Sequence, residues 1–197
     1  MLLHINPFAM CGIHCTYRCS KSPSKRLLNR GPDHQGSVTC GPVTLSSYVL
    51  HVQGSGKQPL QKSGNHIVFN GQLFGIPKTY TNDTSFLLDQ ICEKGPLDVA
   101  ASCRGPAAVI LYQEDENTLW FWRDYFGRRS LLISFSGDGF VLSSVAGSEG
   151  EWKEVPACGV FRVTKESLEC YPYSGRATIS ETFCREYFKD FDSLMGK

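Results

Sequence analysis

Met10-Cys11-Gly12-Ile13-His14-Cys15-Thr16-Tyr17-Arg18 is the stretch on which the reading of this chain turns. Its β-branched and aromatic residues predict a strand over Cys11–Arg18. A thiol at a free N-terminus is a nucleophile that carries its own base. The α-amino group titrates near pH ~8, so at neutral pH part of it is unprotonated and can accept the thiol proton. Met10 directly before a small residue is what initiator-Met removal requires, and Gly12 lets backbone pass close to a substrate. The ordinary alternative is a buried structural cysteine.

Outward from this run, extended segments dominate to about residue 170. Strands are expected at Ser37–Thr39, Val43–Leu50, His66–Phe69, Ala107–Gln113, Thr118–Arg123, Leu131–Ser136, Gly139–Ser144 and Gly159–Val163, most bounded by Gly, Pro, Asn or Asp. Glu114–Asn117 and Ser136-Gly137-Asp138-Gly139 read as hairpin connections. Helices are expected at Ser22–Asn29, at Asp83–Glu93 with Asp83 or Thr84 as cap and Gly95-Pro96 as stop, and at Ser180–Leu194. Many antiparallel strands with two or three helices predict an α+β architecture of two packed sheets.

The 197 residues fit one domain, with 41% hydrophobic and 20% charged residues, far from disordered composition. Twenty basic and 19 acidic residues leave a formal charge of +1, which gives no electrostatic footprint for nucleic acid or an anionic membrane. No apolar run approaches the ~18 residues of a membrane span. Met1–Ala9 lacks a basic n-region, so it is not a secretory signal. Nine scattered cysteines without such a signal predict a reducing cytosol or nucleus, and a cytoplasmic setting is expected. No metal site is expected from His14, Cys11, Cys15 and Cys19. Cysteines four residues apart on a strand lie roughly 13 Å apart, too far to share one ion.

Four further constellations carry candidate chemistry. Asn70-Gly71-Gln72 follows the apolar run Ile67-Val68-Phe69, and an Asn amide with the next backbone N–H can form an oxyanion hole. A plain Asn-Gly turn is the competing reading. Arg30-Gly31-Pro32-Asp33 reads as a charged surface turn. Asn82-Asp83-Thr84 opens a helix, where Asp83 either caps it or binds a substrate ammonium. Arg123-Asp124-Tyr125-Phe126-Gly127-Arg128-Arg129-Ser130-Leu131 reads as a salt-bridged strand end with a Gly turn.

In this order and spacing, the motifs from Met10 to Val163 resemble the class II glutamine amidotransferase domain, an N-terminal-nucleophile hydrolase, and in particular that of asparagine synthetases. The resemblance implies a four-layer αββα sandwich of two antiparallel sheets. It implies Cys11 as nucleophile on the glutamine amide, giving a glutamyl thioester and ammonia, with Asn70 and Gly71 as oxyanion donors. Substrate-binding positions are expected at Leu50, Gln72 and Asp83, the last for the α-amino group. No cofactor is implied. Residues 1–9 are expected to be a leader or propeptide-like extension, 10–173 the amidotransferase domain and 174–197 an atypical tail.

Three departures accompany the resemblance. Nine residues precede Met10, so Cys11 needs processing or an internal start to become N-terminal. Val49 stands where an Arg pairs with the substrate carboxylate, and Gln72 stands where a Glu is usual. No Ser-Gly-Gly-x-Asp pyrophosphate loop follows, so ammonia is expected to pass to a synthetase domain or a longer isoform. A catalytically weak, amidotransferase-like binding module is the alternative function.

Overall fold

The computed structural model describes residues 10–51, 56–137 and 139–187. The leader expected at 1–9, Asp138 and the expected helical residues beyond 187 lie outside the described residues.

Two six-stranded sheets, antiparallel in every described pairing, make the body of the α+β sandwich. The first runs β10 (Lys153–Glu154), β8 (Leu132–Ser136), β9 (Gly139–Ser143), β1 (Gly12–Tyr17), β3 (Val43–Val49), β2 (His34–Cys40). The second runs β12 (Leu168–Pro172), β11 (Gly159–Val163), β7 (Thr118–Arg123), β6 (Ala107–Gln113), β5 (Asn65–Gly71), β4 (Leu60–Lys62).

Side-chain alternation sorts each strand between two surroundings. Ile13, Cys15 and Tyr17 of β1 face the gap between the sheets, where they meet Val68, Ile110, Phe121 and Phe161. On the other face of the second sheet, Ile67, Phe69, Val109, Leu111, Trp120 and Trp122 pack on Leu87, Leu88 and Ile91 of α1 (Asp83–Lys94) and Val99 of α2 (Pro96–Ser102). Strands β6 and β7 are thus covered on both faces, which is why they read as nearly continuous apolar runs. Each fully buried Phe, Leu or Ile contributes roughly 1.5–3 kcal/mol to this core. Over the outer face of the first sheet run the segments 21–26 and 145–152, against His14, Val141 and Ser143. Helices α1 and α2 thus form the helical layer on the second sheet.

The differences from the sequence expectation have identifiable causes. The helix expected at Ser22–Asn29 is a single 3₁₀ turn, Lys25–Leu27, started by the Ser24 hydroxyl. That segment has one buried position, Leu27, and Leu28 is exposed, so no apolar stripe supports a longer helix. Gly95-Pro96 does end α1, but Pro96 also begins α2. Proline suits a first helical position, where its missing N–H has no intrahelical partner to lose. Strands β4, β10 and β12 escaped the reading because β4 and β10 are two or three residues long and all three lie at sheet edges. The third helix, α3, begins at Ala177, three residues before its expected start.

Candidate active site

Cys11 sits immediately before β1, a central strand of the first sheet. Its sulfur is held by the backbone of Leu50, just past the end of β3. The Leu50 N–H donates to Sγ at 3.4 Å, and Sγ lies 3.8 Å from the Leu50 carbonyl. Leu50 therefore frames the thiol through its main chain. Burial pushes the Cys11 thiol up, opposed by the Leu50 hydrogen bond and by the charges of Arg129 and Arg30.

Gly12 has a structural reason that differs from the expected one. A Cβ there would stand 2.7 Å from Leu27 Cδ2, so the glycine admits Leu27 onto the strand.

Asn70 and Gly71 close β5 opposite Ala108 and Ala107. The Asn-Gly pair is thus a paired strand end, not the tip of a hairpin. Alternation along β5 turns His66, Val68 and Asn70 into the gap between the sheets, the face on which Ile13 and Cys15 lie. The Ser47 hydroxyl of β3 donates to the Gln58 carbonyl, and the Gln58 side-chain amide pairs with both backbone groups of Phe69. That bridge sets Asn70 at the same end of the gap as Leu50 and Cys11. Asn70 is 1% exposed, and its Nδ2 has no acceptor among the described residues. At Gly71 a Cβ would fall 2.3 Å from the Pro106 carbonyl, so only glycine lets this strand end lie against the 104–106 turn.

Gln72 continues the strand edge, its N–H donating to the Pro106 carbonyl at 2.9 Å. Asp83 is the first residue of α1, and the cap is Asn82, whose Oδ1 accepts the Ser85 N–H. Freed from capping, Asp83 accepts the Leu73 N–H at 2.7 Å through Oδ2, drawing the chain after Gln72 onto the helix. The structure thus joins Gln72 and Asp83 through one short segment.

Arg30-Gly31-Pro32-Asp33 is not a detached surface turn. The Asp33 N–H donates to the Val49 carbonyl, and its carboxylate accepts the His51 N–H at 2.8 Å. Arg30 donates through Nη1 to Ser130 Oγ and the Ser144 carbonyl, while its Nε and Nη2 are buried without partners among the described residues. Burial, then the neighbouring Arg129, push the Arg30 guanidinium down, and Cys11 opposes this. Two cations thus stand beside one thiol.

Arg129 is the functional candidate that the sequence reading missed. Its carbonyl is gripped by Arg123 Nε at 2.6 Å, and Arg123 also binds Glu154, the Val155 carbonyl and the Gly127 carbonyl. Asp124 completes the turn by accepting from the N–H groups of Ala107, Phe126 and Arg128 and from Arg128 Nε. With Arg128 spent on Asp124, Arg129 is left over. Its Nη1 donates to the sulfur of Met10, and its buried Nε has no partner among the described residues. The adjacent pair Arg128-Arg129 beside one nearby carboxylate was the signal available in the sequence.

Burial raises the Asp124 carboxyl, but the Ala107 N–H and the Arg128 side chain outweigh it and hold the group below its ordinary range. Its contribution to stability is therefore complete above the ordinary carboxylate pKa of about 3.9 and is lost as pH falls below that through the folded value. Asp124→Ala is expected to destabilise the fold by about 2–3 kcal/mol at pH 7 and to flatten the acid limb of a pH–Tm profile. An acid limb as steep as that of the unaltered protein would contradict this role.

Comparison with known proteins adds three observations. The family described as glutamine amidotransferase domain matches residues 10–151. Asparagine synthetase domain-containing protein 1 of Bos taurus is 35% identical over 83% of this chain and 31% of its own length, and that of Homo sapiens is 34% identical over 87% and 32%. The chain thus spans about a third of the length of these curated relatives. Glutamine phosphoribosylpyrophosphate amidotransferase from B. subtilis superposes with a TM-score of 0.56 at 16% identity, over 82% of this chain and 42% of that one, a likeness of fold.

Proposed function

The chain belongs to the glutamine amidotransferase domain family, and from that premise we propose that it hydrolyses the side-chain amide of glutamine at Cys11 once residues 1–10 are removed. The observation that carries this reading is the set of buried donors without acceptors at the Cys11 end of the gap: Asn70 Nδ2, Arg30 Nε and Nη2, and Arg129 Nε. Buried donors are costly to leave unpaired, so a site with several awaits an anionic or carbonyl-bearing guest.

The thiol proton passes to the Cys11 α-amino group, and the thiolate bonds to the amide carbon. Asn70 Nδ2–H and the Gly71 N–H receive the oxyanion. The C–N bond then breaks as the ammonium proton moves to the departing ammonia. Water attacks the glutamyl thioester, the C–S bond breaks, and glutamate leaves with the thiol restored. Arg30 and Arg129 replace the missing cation at Val49 as carboxylate anchors, and Asp83 with Gln72 receives the α-amino group. Residues 10–173 form the amidotransferase unit in this reading, with 174–197 appended. Ammonia passes to a synthetase domain, a partner suggested by the names of the relatives.

The setting proposed is cytoplasmic. Cys11, Cys15, Cys19, Cys40, Cys92 and Cys103 are thiols, and no described helix is long and apolar enough to cross a membrane.

Protein beginning at Cys11 is expected to release glutamate and ammonia in equal amounts from glutamine. A folded protein with this terminus that releases neither would sink the proposal. Arg129→Met in that form removes a charge-assisted contact of about 1.5–3 kcal/mol and is expected to raise KM roughly tenfold to a hundredfold with kcat little changed. An unchanged KM would remove Arg129 from the anchor.

A second reading, a catalytically silent module, draws on the Met10 sulfur at Arg129, which puts the residue before Cys11 inside the site. Mass spectrometry of the N-terminus in native cells separates the two, since a Cys11 terminus speaks against silence.

A further inference from the structure

At the opposite end of the sandwich from Cys11, three side chains distant in sequence meet between the sheets. Cys40 ends β2 in the first sheet, His66 lies on β5 in the second, and Glu114 opens the β6–β7 hairpin. Cys40 Sγ stands 3.5 Å from His66 Nε2 and 3.6 Å from Nδ1, and His66 Nε2 stands 3.1 Å from Glu114 Oε2. One donor atom from each of the three lies within 4.8 Å of the others. The Glu114 N–H is tied to the Gly64 carbonyl at 2.8 Å, so the hairpin is fixed against the turn that leads into β5. His66 has 3% of its side chain exposed and Glu114 has 54%, so the cluster is sealed on the core side and open to solvent on the other.

From this arrangement we infer that Cys40, His66 and Glu114 form a zinc site with three protein ligands and solvent in the fourth position. Zinc bonds of about 2.0–2.3 Å in a tetrahedral arrangement separate neighbouring ligand atoms by roughly 3.3–3.8 Å. The observed 3.5 and 3.1 Å lie close to that spacing. A thiolate, an imidazole and a carboxylate together suit zinc better than magnesium or calcium, which select oxygen-only shells. The sulfur is almost equidistant from both ring nitrogens, so it is in line with neither lone pair. Zinc binding therefore requires the thiol and ring to turn about their χ angles until sulfur and Nε2 face a common point. Binding forms the Zn–S bond as the S–H bond breaks, and the proton leaves to solvent with no change of oxidation state. The ion joins an edge strand of one sheet to the interior of the other, pinning the sandwich at the end remote from the nucleophile.

The test uses the full chain, stripped with chelator and titrated with Zn²⁺ or with Co²⁺ as a spectroscopic substitute. One Zn²⁺ per chain and a thiolate-to-cobalt charge-transfer band are expected. Loss of an outer partner alone weakens metal sites roughly tenfold to a hundredfold. Cys40→Ser is therefore expected to abolish the band and weaken binding at least about a hundredfold. Glu114→Gln, at a half-exposed position that keeps the fold, retains the band with affinity lowered about tenfold or more. Cys92→Ser, which removes an exposed thiol elsewhere, leaves the titration unchanged. Folded protein that takes up no ion, a band that survives Cys40→Ser or vanishes in Cys92→Ser, or a Glu114→Gln titration identical to the parent would each overturn the inference.

Discussion

Protein that starts at Cys11 is expected to hydrolyse glutamine about 10²–10⁴ times faster than the chain that retains residues 1–10, the range a positioned general base contributes. The rate turns first on the thiol. Burial raises it, and although the Leu50 N–H, Arg129 and Arg30 oppose that rise, it remains raised. A half-buried thiol so placed needs a base to become a nucleophile. In the uncleaved chain the Cys11 nitrogen is a peptide amide with no basic lone pair. As a terminal amine it titrates near ~8, and kcat/KM is expected to rise with pH up to that value. Cleavage has a second consequence, because Met10 leaves Arg129 Nη1 and returns a donor to the site. The two effects separate in a chain that keeps only residue 10 before Cys11, with Met10→Gly. There the arginine is released but the amine is still blocked, so glutamine binds while turnover stays low. Equal rates for cleaved and uncleaved protein, with the same fold by circular dichroism, would remove the amine from the mechanism.

The parts of this molecule legible in its sequence are those whose local pattern and tertiary role coincide. Strands β6 and β7 are buried on both faces, and their apolar runs announce it. Cys11 and Asn70-Gly71 stand at strand ends, and that placement follows from the apolar runs beside them. The edge strands β4, β10 and β12 are different, since their identity comes from a neighbour's unpaired backbone and not from their own side chains. Gly12 looked like clearance for a substrate, yet its space is taken by Leu27 from fifteen residues away. Arg129 was hidden for a similar reason. Its availability depends on Asp124 choosing Arg128 and on Arg123 fixing the backbone, a division of labour among three arginines that spacing alone does not assign. The Cys40–His66–Glu114 cluster needs the register of β5 with β6 and the closure of the sandwich before its members are neighbours.

Asn70→Ala, in protein beginning at Cys11, is expected to lower kcat about 10²–10³-fold with KM changed only a few-fold, the signature of a donor used in the transition state. The Asn70 amide has a donor with an unmet demand. Asn70 is 1% exposed on β5, inside the gap between the sheets, and its Nδ2 has no acceptor among the described residues. A buried donor left unpaired costs the folded state roughly 1–3 kcal/mol, so an amide kept only for packing would have gained a partner. In the proposed mechanism the free donor is instead preorganised, and it becomes satisfied when the amide oxygen of the substrate turns into an oxyanion. Removing it should therefore leave thermal stability unchanged or slightly higher while slowing turnover. A structural role predicts the reverse pattern, with Tm falling and kcat following only through loss of folded protein. Asn70→Asp sharpens the distinction, since a carboxylate at that place repels the developing charge and is expected to be slower still than Asn70→Ala. Should Asn70→Ala melt markedly earlier, or lose affinity with kcat intact, Asn70 would belong to the scaffold and the oxyanion would have to be held by backbone alone.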